Sequence, residues 1–311
     1  MANIPGQYNK IAKILNKIIE KGWRTATHQW PVDMVILPTS VCNLNCVHCI
    51  FRNRNKKRSI PWSKLDPFIR TCAAHGVEAI EYSGGEPTLY PQISQCIRLV
   101  HELGMKQGLI TNGLALTTTL SEEEQGFCAW IRVSLDALTY GIPIPHPNIP
   151  ETTRLTTSYI WSSASTESIL AEVAQWSGIQ GTPCRVVPDA FLPLGSELRE
   201  ACKKACKAIG YPLVLINRDE NRKVPDYCLM ANWKPALAWD SFLYACCYSA
   251  VREWGMDLCP EFRTAPMEQI EPYYETTPIH DLGHRCSSCL GWMENNILGA
   301  ARSPIEDPSF L

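Results

Sequence analysis

Short apolar runs alternate along the chain with longer stretches in which apolar residues return every three or four positions. The runs Met34–Leu37, Val77–Tyr82, Gly108–Thr111, Trp130–Leu135, Arg185–Val187 and Leu213–Asn217 are compact and rich in Val, Ile and Leu, the pattern of buried strands. Leu65–His75, Ile93–Leu103, Thr166–Trp176 and Ser196–Ile209 carry the helical period. Strand, crossover helix and parallel strand, repeated about six times, predict an α/β fold with a parallel sheet, open or curled into a partial barrel. Ligands of such sheets sit at the carboxyl ends of the strands.

Three segments depart from this rhythm. Ile11, Leu15, Ile18 and Ile19 fall at helical spacing with lysines between them, so residues 1–30 read as an amphipathic helix and lead-in. Tyr140–Ser163 carries prolines at 143, 145, 147 and 150 and no helical period. It reads as a long loop, either covering the site or inserted at the surface, with His146 and Tyr159 near substrate in the first case and solvated in the second. Past residue 220 the alternation stops and Cys and Trp become frequent. The expected division is a lead-in at 1–30, an α/β unit at 31–220 and a smaller C-terminal unit at 221–311.

Composition narrows the function classes. With 45% hydrophobic residues over 311 positions, the chain can bury a full core. Lys and Arg number 29 against 31 Asp and Glu, a balance that argues against nucleic acid or an anionic membrane as partner. The N-terminus lacks the apolar core of a signal peptide, and no window holds eighteen uncharged apolar residues, so a cytoplasmic location is expected. In that reducing compartment the fifteen cysteines are metal ligands, nucleophiles or core residues rather than a disulfide framework. Cysteines 72, 96, 128, 184, 202 and 206 sit in helix or strand patterns and read as small buried hydrophobes.

Cys42, Cys46 and Cys49 are different. They follow the first strand directly, spaced C-x3-C-x2-C in "CNLNCVHC". Thiolates select zinc or iron–sulfur clusters, and a closed structural site wants four ligands, so three leave one position open. Zinc completed by a distant residue is the alternative. The basic run Arg52, Arg54, Lys56, Lys57 and Arg58 beside this loop reads as a solvated face, or else as an attractor for an acidic substrate.

The triplet resembles the signature of the radical S-adenosylmethionine (SAM) superfamily. In that family three cysteines hold a four-iron, four-sulfur cluster, and its fourth iron chelates the methionine moiety of SAM. An electron passed to the bound sulfonium releases a 5'-deoxyadenosyl radical. The resemblance implies a partial (β/α)6 TIM-like barrel and assigns further residues. His48 takes the place of an aromatic ring beside adenine, or is a plain loop residue. Gly84, Gly85, Glu86 and Pro87 form the run that binds the SAM amino group, where glycines permit close approach and a carboxylate can pair with an amine. Asn112 and Arg132 orient the polar end of SAM, Ser134 bonds ribose, and Asp136 stands with them. Arg185 is a weaker candidate for the SAM carboxylate.

Cys228, Cys246 or Cys247, Cys286 and Cys289 can close a second shell, as iron–sulfur or as a zinc ribbon. The arrangement resembles the SPASM and twitch extensions, which bind auxiliary clusters. There the first cysteine precedes a small hairpin and the second lies five residues after a turn glycine. Ser241 stands at that glycine's place, which selects Cys246, and four ligands imply the shorter twitch type with a second 4Fe-4S cluster. Cys259 has no evident partner.

Relatives with such tails mostly modify ribosomally made peptides by cross-linking, epimerisation or backbone excision, and a smaller group oxidises small molecules such as aminocyclitols or sugars. The resemblance therefore implies a precursor peptide substrate and a reducing partner such as flavodoxin or ferredoxin. The region ahead of Cys42 is short for a leader-binding module, so a separate leader-peptide recognition protein is expected. An iron–sulfur electron carrier or a zinc-binding protein is the reading without catalysis.

Overall fold

The computed structural model describes residues 16–20, 22, 28–189, 196–216, 228–247, 250, 258–278 and 298. Seven strands run parallel in sequence order: β1 (Asp33–Ile36), β2 (Ala79–Tyr82), β3 (Lys106–Thr111), β4 (Trp130–Ser134), β5 (Arg154–Trp161), β6 (Cys184–Pro188) and β7 (Leu213–Leu215). Beyond β1 the sheet continues with β8 (Ala236–Leu237), parallel to β1, and then antiparallel β9 (Phe242–Tyr244) and β10 (Arg263–Pro266).

The order β1 to β7 contains no reversal. Right-handed crossovers then leave every connecting helix on the same face, so the other face can only curl inward, as in a barrel. The helices α1 (Trp62–Ala74), α2 (Ile93–Glu102), α3 (Glu122–Gly126), α4 (Glu167–Ile179), α5 (Glu197–Ile209) and α6 (Ile270–Thr276) supply that layer. One core lies between strands and helices, where Ile36, Tyr82, Leu109, Val133 and Tyr159 meet Leu65, Ile69, Ile97, Val173 and Cys202. The six cysteines expected as core residues are all buried.

Alternation along each strand sends the intervening residues to the opposite, open face. Glu81, Gly108, Trp130, Arg132, Ser134, Thr156, Ser158 and Arg185 share it by register. Trp130 lies flat across β3 there, since a Cβ on Gly108 would come within 2.1 Å of its ring.

The segment expected as a loop contains a strand. β5 occupies Arg154–Trp161 and pairs with both β4 and β6, which makes Arg185–Val187 the sixth strand and Leu213–Leu215 the seventh. Its "RLTTSYIW" alternates correctly, with Thr157, Tyr159 and Trp161 buried, but two threonines and the preceding prolines weaken the apolar signal. Tyr159 is thus a core residue whose hydroxyl meets Ser165 and Thr139. His146 stacks on Trp176 at 4.9 Å. In the lead-in, residues 16–20 are helical and Ile18 is buried with Val32, Trp233 and Leu298, while Ile19 is 78% exposed and lies off the packed face. Residues 1–15 lie outside the described residues.

Candidate metal centre and cofactor site

Cys42, Cys46 and Cys49 lie on the loop leaving β1 at its carboxyl end, each half-buried. Backbone contacts fold this loop back on itself: Ser40 N–H donates to Arg58 O at 2.8 Å and Ile60 N–H to Pro38 O at 2.9 Å. The thiols sense one another. Burial pushes Cys46 up to about 12, with Asp136, Cys49 and Cys42 adding to the effect. Burial also raises Cys42. Burial thus favours the neutral thiols at Cys42 and Cys46 in the protein alone.

Two of the sulfurs face a donor: Leu44 N–H reaches Cys42 Sγ at 3.4 Å and Arg54 Nη1 reaches Cys49 Sγ at 3.4 Å, while the Tyr140 hydroxyl accepts Val47 N–H at 2.9 Å next to Cys46. Three half-buried thiols on one loop, two of them with donors and with no fourth thiol on that loop, fit a cluster that keeps one metal position open. Arg54 corrects the expectation of a uniformly solvated basic run. It is only 6% exposed, with Nε on Ser40 O and Nη1 on Phe51 O, both at 2.7 Å. Lys56 caps Leu44 O at 2.9 Å, whereas Arg52, Lys57 and Arg58 are exposed.

The Gly84–Pro87 run packs directly against this loop. Gly85 N–H donates to Thr39 O and Glu86 N–H to Val41 O, and a Cβ on Gly85 would meet Val41 O at 2.2 Å. Gly84 has φ +113, open only to glycine. The Glu86 carboxylate points inward, 1% exposed, and accepts from Thr88 N, Thr88 Oγ1, Thr111 Oγ1 and Asn112 N at 2.7 to 3.0 Å. It ties the end of β2 to the end of β3, and Pro87 opens the short 3-10 turn that follows.

Asn112 reaches the cluster loop through Asn43 Oδ1 at 2.7 Å. Ser134 donates to Asp136, whose other oxygen accepts Ile160 N–H at 2.9 Å and lies 3.4 Å from His48 Nε2. Burial opposes a charged His48, but the bond and charge of Asp136, with Asp189 beyond, outweigh it and raise its pKa. His48 Nδ1 is buried without a hydrogen-bond partner among the described residues. The Arg132 guanidinium lies 5.3 Å over Trp130. Eight of the nine positions expected around SAM lie at or just past the ends of β1 to β4, whereas Arg132 sits midway along β4 and Arg185 is exposed on β6.

Lower on the open face, sequence reasoning missed an ionic cluster. Lys234 Nζ meets Glu81 Oε2 at 2.8 Å, with Asp33 nearby. Nothing in hydropathy joins these positions, because β8 returns to β1 from 200 residues away.

Of the C-terminal cysteines, Cys228 and Cys246 pack against one apolar cluster with Met230 and Trp233, and Cys247 and Cys259 against another with Trp239 and Phe262. Cys286 and Cys289 lie outside the described residues. β8 and β9 form a hairpin, and Ser241 in its turn has φ 65. Among the described residues no helix is long and apolar enough to cross a membrane.

Residues 36–156 match the family described as the Radical SAM superfamily. An S-adenosylmethionine-dependent nucleotide dehydratase of Thermoplasmatales archaeon (strain ISO4-H5) is 35% identical over 31% of this chain, and a probable GTP 3',8-cyclase of Pyrococcus abyssi is 29% identical over 32%. The chain spans only 35% and 33% of the length of these two relatives. Among solved structures, Streptococcus suis SuiB bound to S-adenosylmethionine superposes over 97% of this chain and 74% of its own, with TM-score 0.53 at 14% identity. The anSMEcpe complex with AdoMet and Cp18Cys peptide covers 89% and 84%, with TM-score 0.53 at 12% identity, so both likenesses are of fold. The cysteine loop and the glycine turn both fall within residues 36–156, the segment that is similar to the radical SAM superfamily.

Proposed function

We propose that this protein is an enzyme that binds a four-iron, four-sulfur cluster on Cys42, Cys46 and Cys49 and cleaves SAM reductively at the carboxyl ends of β1 to β4. The observation that carries the reading is the cluster loop, where three half-buried thiols share the turn leaving β1 and those of Cys42 and Cys49 meet hydrogen-bond donors. When bound, the cluster supplies the electron that splits SAM into methionine and a 5'-deoxyadenosyl radical, which takes a hydrogen atom from substrate.

The chain's own residues bind and orient. Because the Glu86 carboxylate is fully engaged inside, the Gly84–Pro87 run meets the SAM amine through backbone carbonyls. His48 flanks adenine and offers Nδ1, which lacks a partner. Asp136 fixes both His48 and Ser134 for contacts with the nucleoside, and Asn112 and Arg132 take the polar end.

The C-terminal unit, 221–311, holds an auxiliary 4Fe-4S cluster of twitch type on Cys228, Cys246, Cys286 and Cys289. The β8–β9 hairpin and the left-handed Ser241 in its turn support this, as does the shared packing of Cys228 and Cys246. The substrate is a precursor peptide, presented with a separate leader-recognition protein, and a flavodoxin or ferredoxin supplies electrons in the cytoplasm. What supports a peptide is that the sheet does not close on itself among the described residues, with β7 and β10 as its two edges. A nucleotide is the second reading, favoured by exposed Arg154 and Arg185 on the open face.

Anaerobic incubation of the reconstituted protein with SAM and dithionite should release 5'-deoxyadenosine, read by mass spectrometry. The Cys42→Ala/Cys46→Ala/Cys49→Ala variant should release none, and persistent release would refute the assignment. About eight irons per chain, falling to about four in Cys286→Ala/Cys289→Ala, tests the second cluster.

A further inference from the structure

We propose that Arg54, which donates a hydrogen bond to the sulfur of Cys49, and Tyr140, whose hydroxyl is held at Val47 beside Cys46, set the reduction potential of the cluster. The proposal rests on the cluster assignment above. Donors and positive charge at cluster sulfurs stabilise the more electron-rich, reduced state and raise the potential.

Arg54 is built into the loop for this. Its neighbours of like charge, Arg52, Lys57 and Arg58, are exposed, but Arg54 is turned inward and held by two carbonyls at 2.7 Å, which aim Nη1 at Cys49 Sγ. Burying a guanidinium is costly unless negative charge faces it. Carbonyl dipoles and a neutral thiol compensate only in part. An anionic thiolate–cluster assembly completes the compensation, which explains why a cation occupies this place.

Tyr140 arrives from the other side of the site. The 3-10 turn Leu135–Tyr140 ends at Gly141 in the left-handed region, φ 66, and this delivers the ring to the cluster loop. Its oxygen accepts Val47 N–H at 2.9 Å, which leaves the single hydroxyl proton for a sulfur of the assembled cluster beside Val47. The Cys42 thiol takes its bond from a backbone amide, Leu44 N–H. The bond at Cys49 therefore depends on a side chain, and the one at Cys42 does not.

The test is a redox titration followed by electron paramagnetic resonance on the anaerobically reconstituted full chain without SAM. The relevant signal is the one absent from the triple cysteine variant. At equal iron content, Arg54→Gln should lower the reduced-to-oxidised ratio at fixed potential about tenfold, equivalent to about 59 mV for one electron. Tyr140→Phe, which removes only the hydroxyl and keeps the ring, should shift it the same way by less. Arg54→Lys, which keeps the charge but loses the fork, should fall between wild type and Arg54→Gln. Lys57→Gln, a loss of exposed charge on the same loop, should not move it. An unchanged or more positive potential in Tyr140→Phe or Arg54→Gln overturns the proposal, as does an equal shift in Lys57→Gln. A wild-type chain whose triplet takes up no cluster would instead refute the reading above.

Discussion

Replacing Glu86 should damage the fold before it damages ligand binding. Its carboxylate accepts four hydrogen bonds within 1% exposure, two of them from the backbone N–H groups of Thr88 and Asn112. In Glu86→Ala those two amides remain buried, and each loses its acceptor at about 1–3 kcal/mol. The hydroxyls of Thr88 and Thr111 can turn elsewhere and add little. The expected loss is about 2–6 kcal/mol, a large part of the roughly 5–15 kcal/mol that holds a domain folded. Glu86→Gln keeps one oxygen for the three donors at Oε1 but turns an NH2 toward Asn112 N–H, so about 1–3 kcal/mol is expected. Urea unfolding of the apo protein under reducing conditions reads both. Hydrogen exchange should show the Asn112 amide losing protection. An unfolding midpoint for Glu86→Ala equal to wild type, with SAM affinity alone reduced, would refute this and return the carboxylate to the SAM amine.

Two further outcomes follow from single observations. Ser241 holds φ 65 in the β8–β9 turn, so Ser241→Gly should raise unfolding free energy by about 0.5–1 kcal/mol, and a loss of stability would contradict a strained turn. Burial opposes a charged Lys234, but Glu81 and Asp33 outweigh it and raise its pKa, so its contribution is fully present below about pH 10.4 and is lost as pH rises through the raised value. Lys234→Met should cost about 1–3 kcal/mol at pH 7, and the gap to wild type should close at strongly alkaline pH; a gap constant to about pH 12 would refute the ion pair.

The sheet and the ligand loop were legible because their signals are local. Apolar runs with helical stretches between them placed β1 to β4, and a cysteine triplet at a strand end is hard to produce otherwise. β5 was lost because its buried Thr157 and half-buried Thr156 count as polar in a hydropathy reading, though a threonine on a strand buries its methyl readily. Arg54 was misjudged for a different reason. Five basic residues in seven positions look alike in sequence, and which of them turns inward depends on the loop folding back to pair Ser40 with Arg58. Glu86 shows the same limit: the motif gave its place correctly, but only the fold shows that Thr88, Thr111 and Asn112 use up its carboxylate.

The C-terminal strands decide what kind of barrel this can be. In a closed barrel β1 would pair with the last parallel strand, but here its second edge is taken by β8, through Val35 and Ala236 and through Ile36 and Leu237. β7 therefore does not close on β1, and among the described residues the sheet keeps β7 and β10 as free edges. The same hairpin supports the ligand loop from beneath. Phe51 packs its ring against the edge of Trp239 at 4.9 Å, and Cys49 and Ile50 lie on the apolar cluster that Ala236, Ala238 and Tyr244 build. The shelf under Cys49 thus joins Val35 and Leu37 to Ala236, Ala238, Trp239, Tyr244 and Phe262 of the C-terminal segment. A chain cut before β8 would lose the support of its metal loop as well as its own extension, which makes the two parts of the sequence one structural unit at the site where the chemistry is proposed.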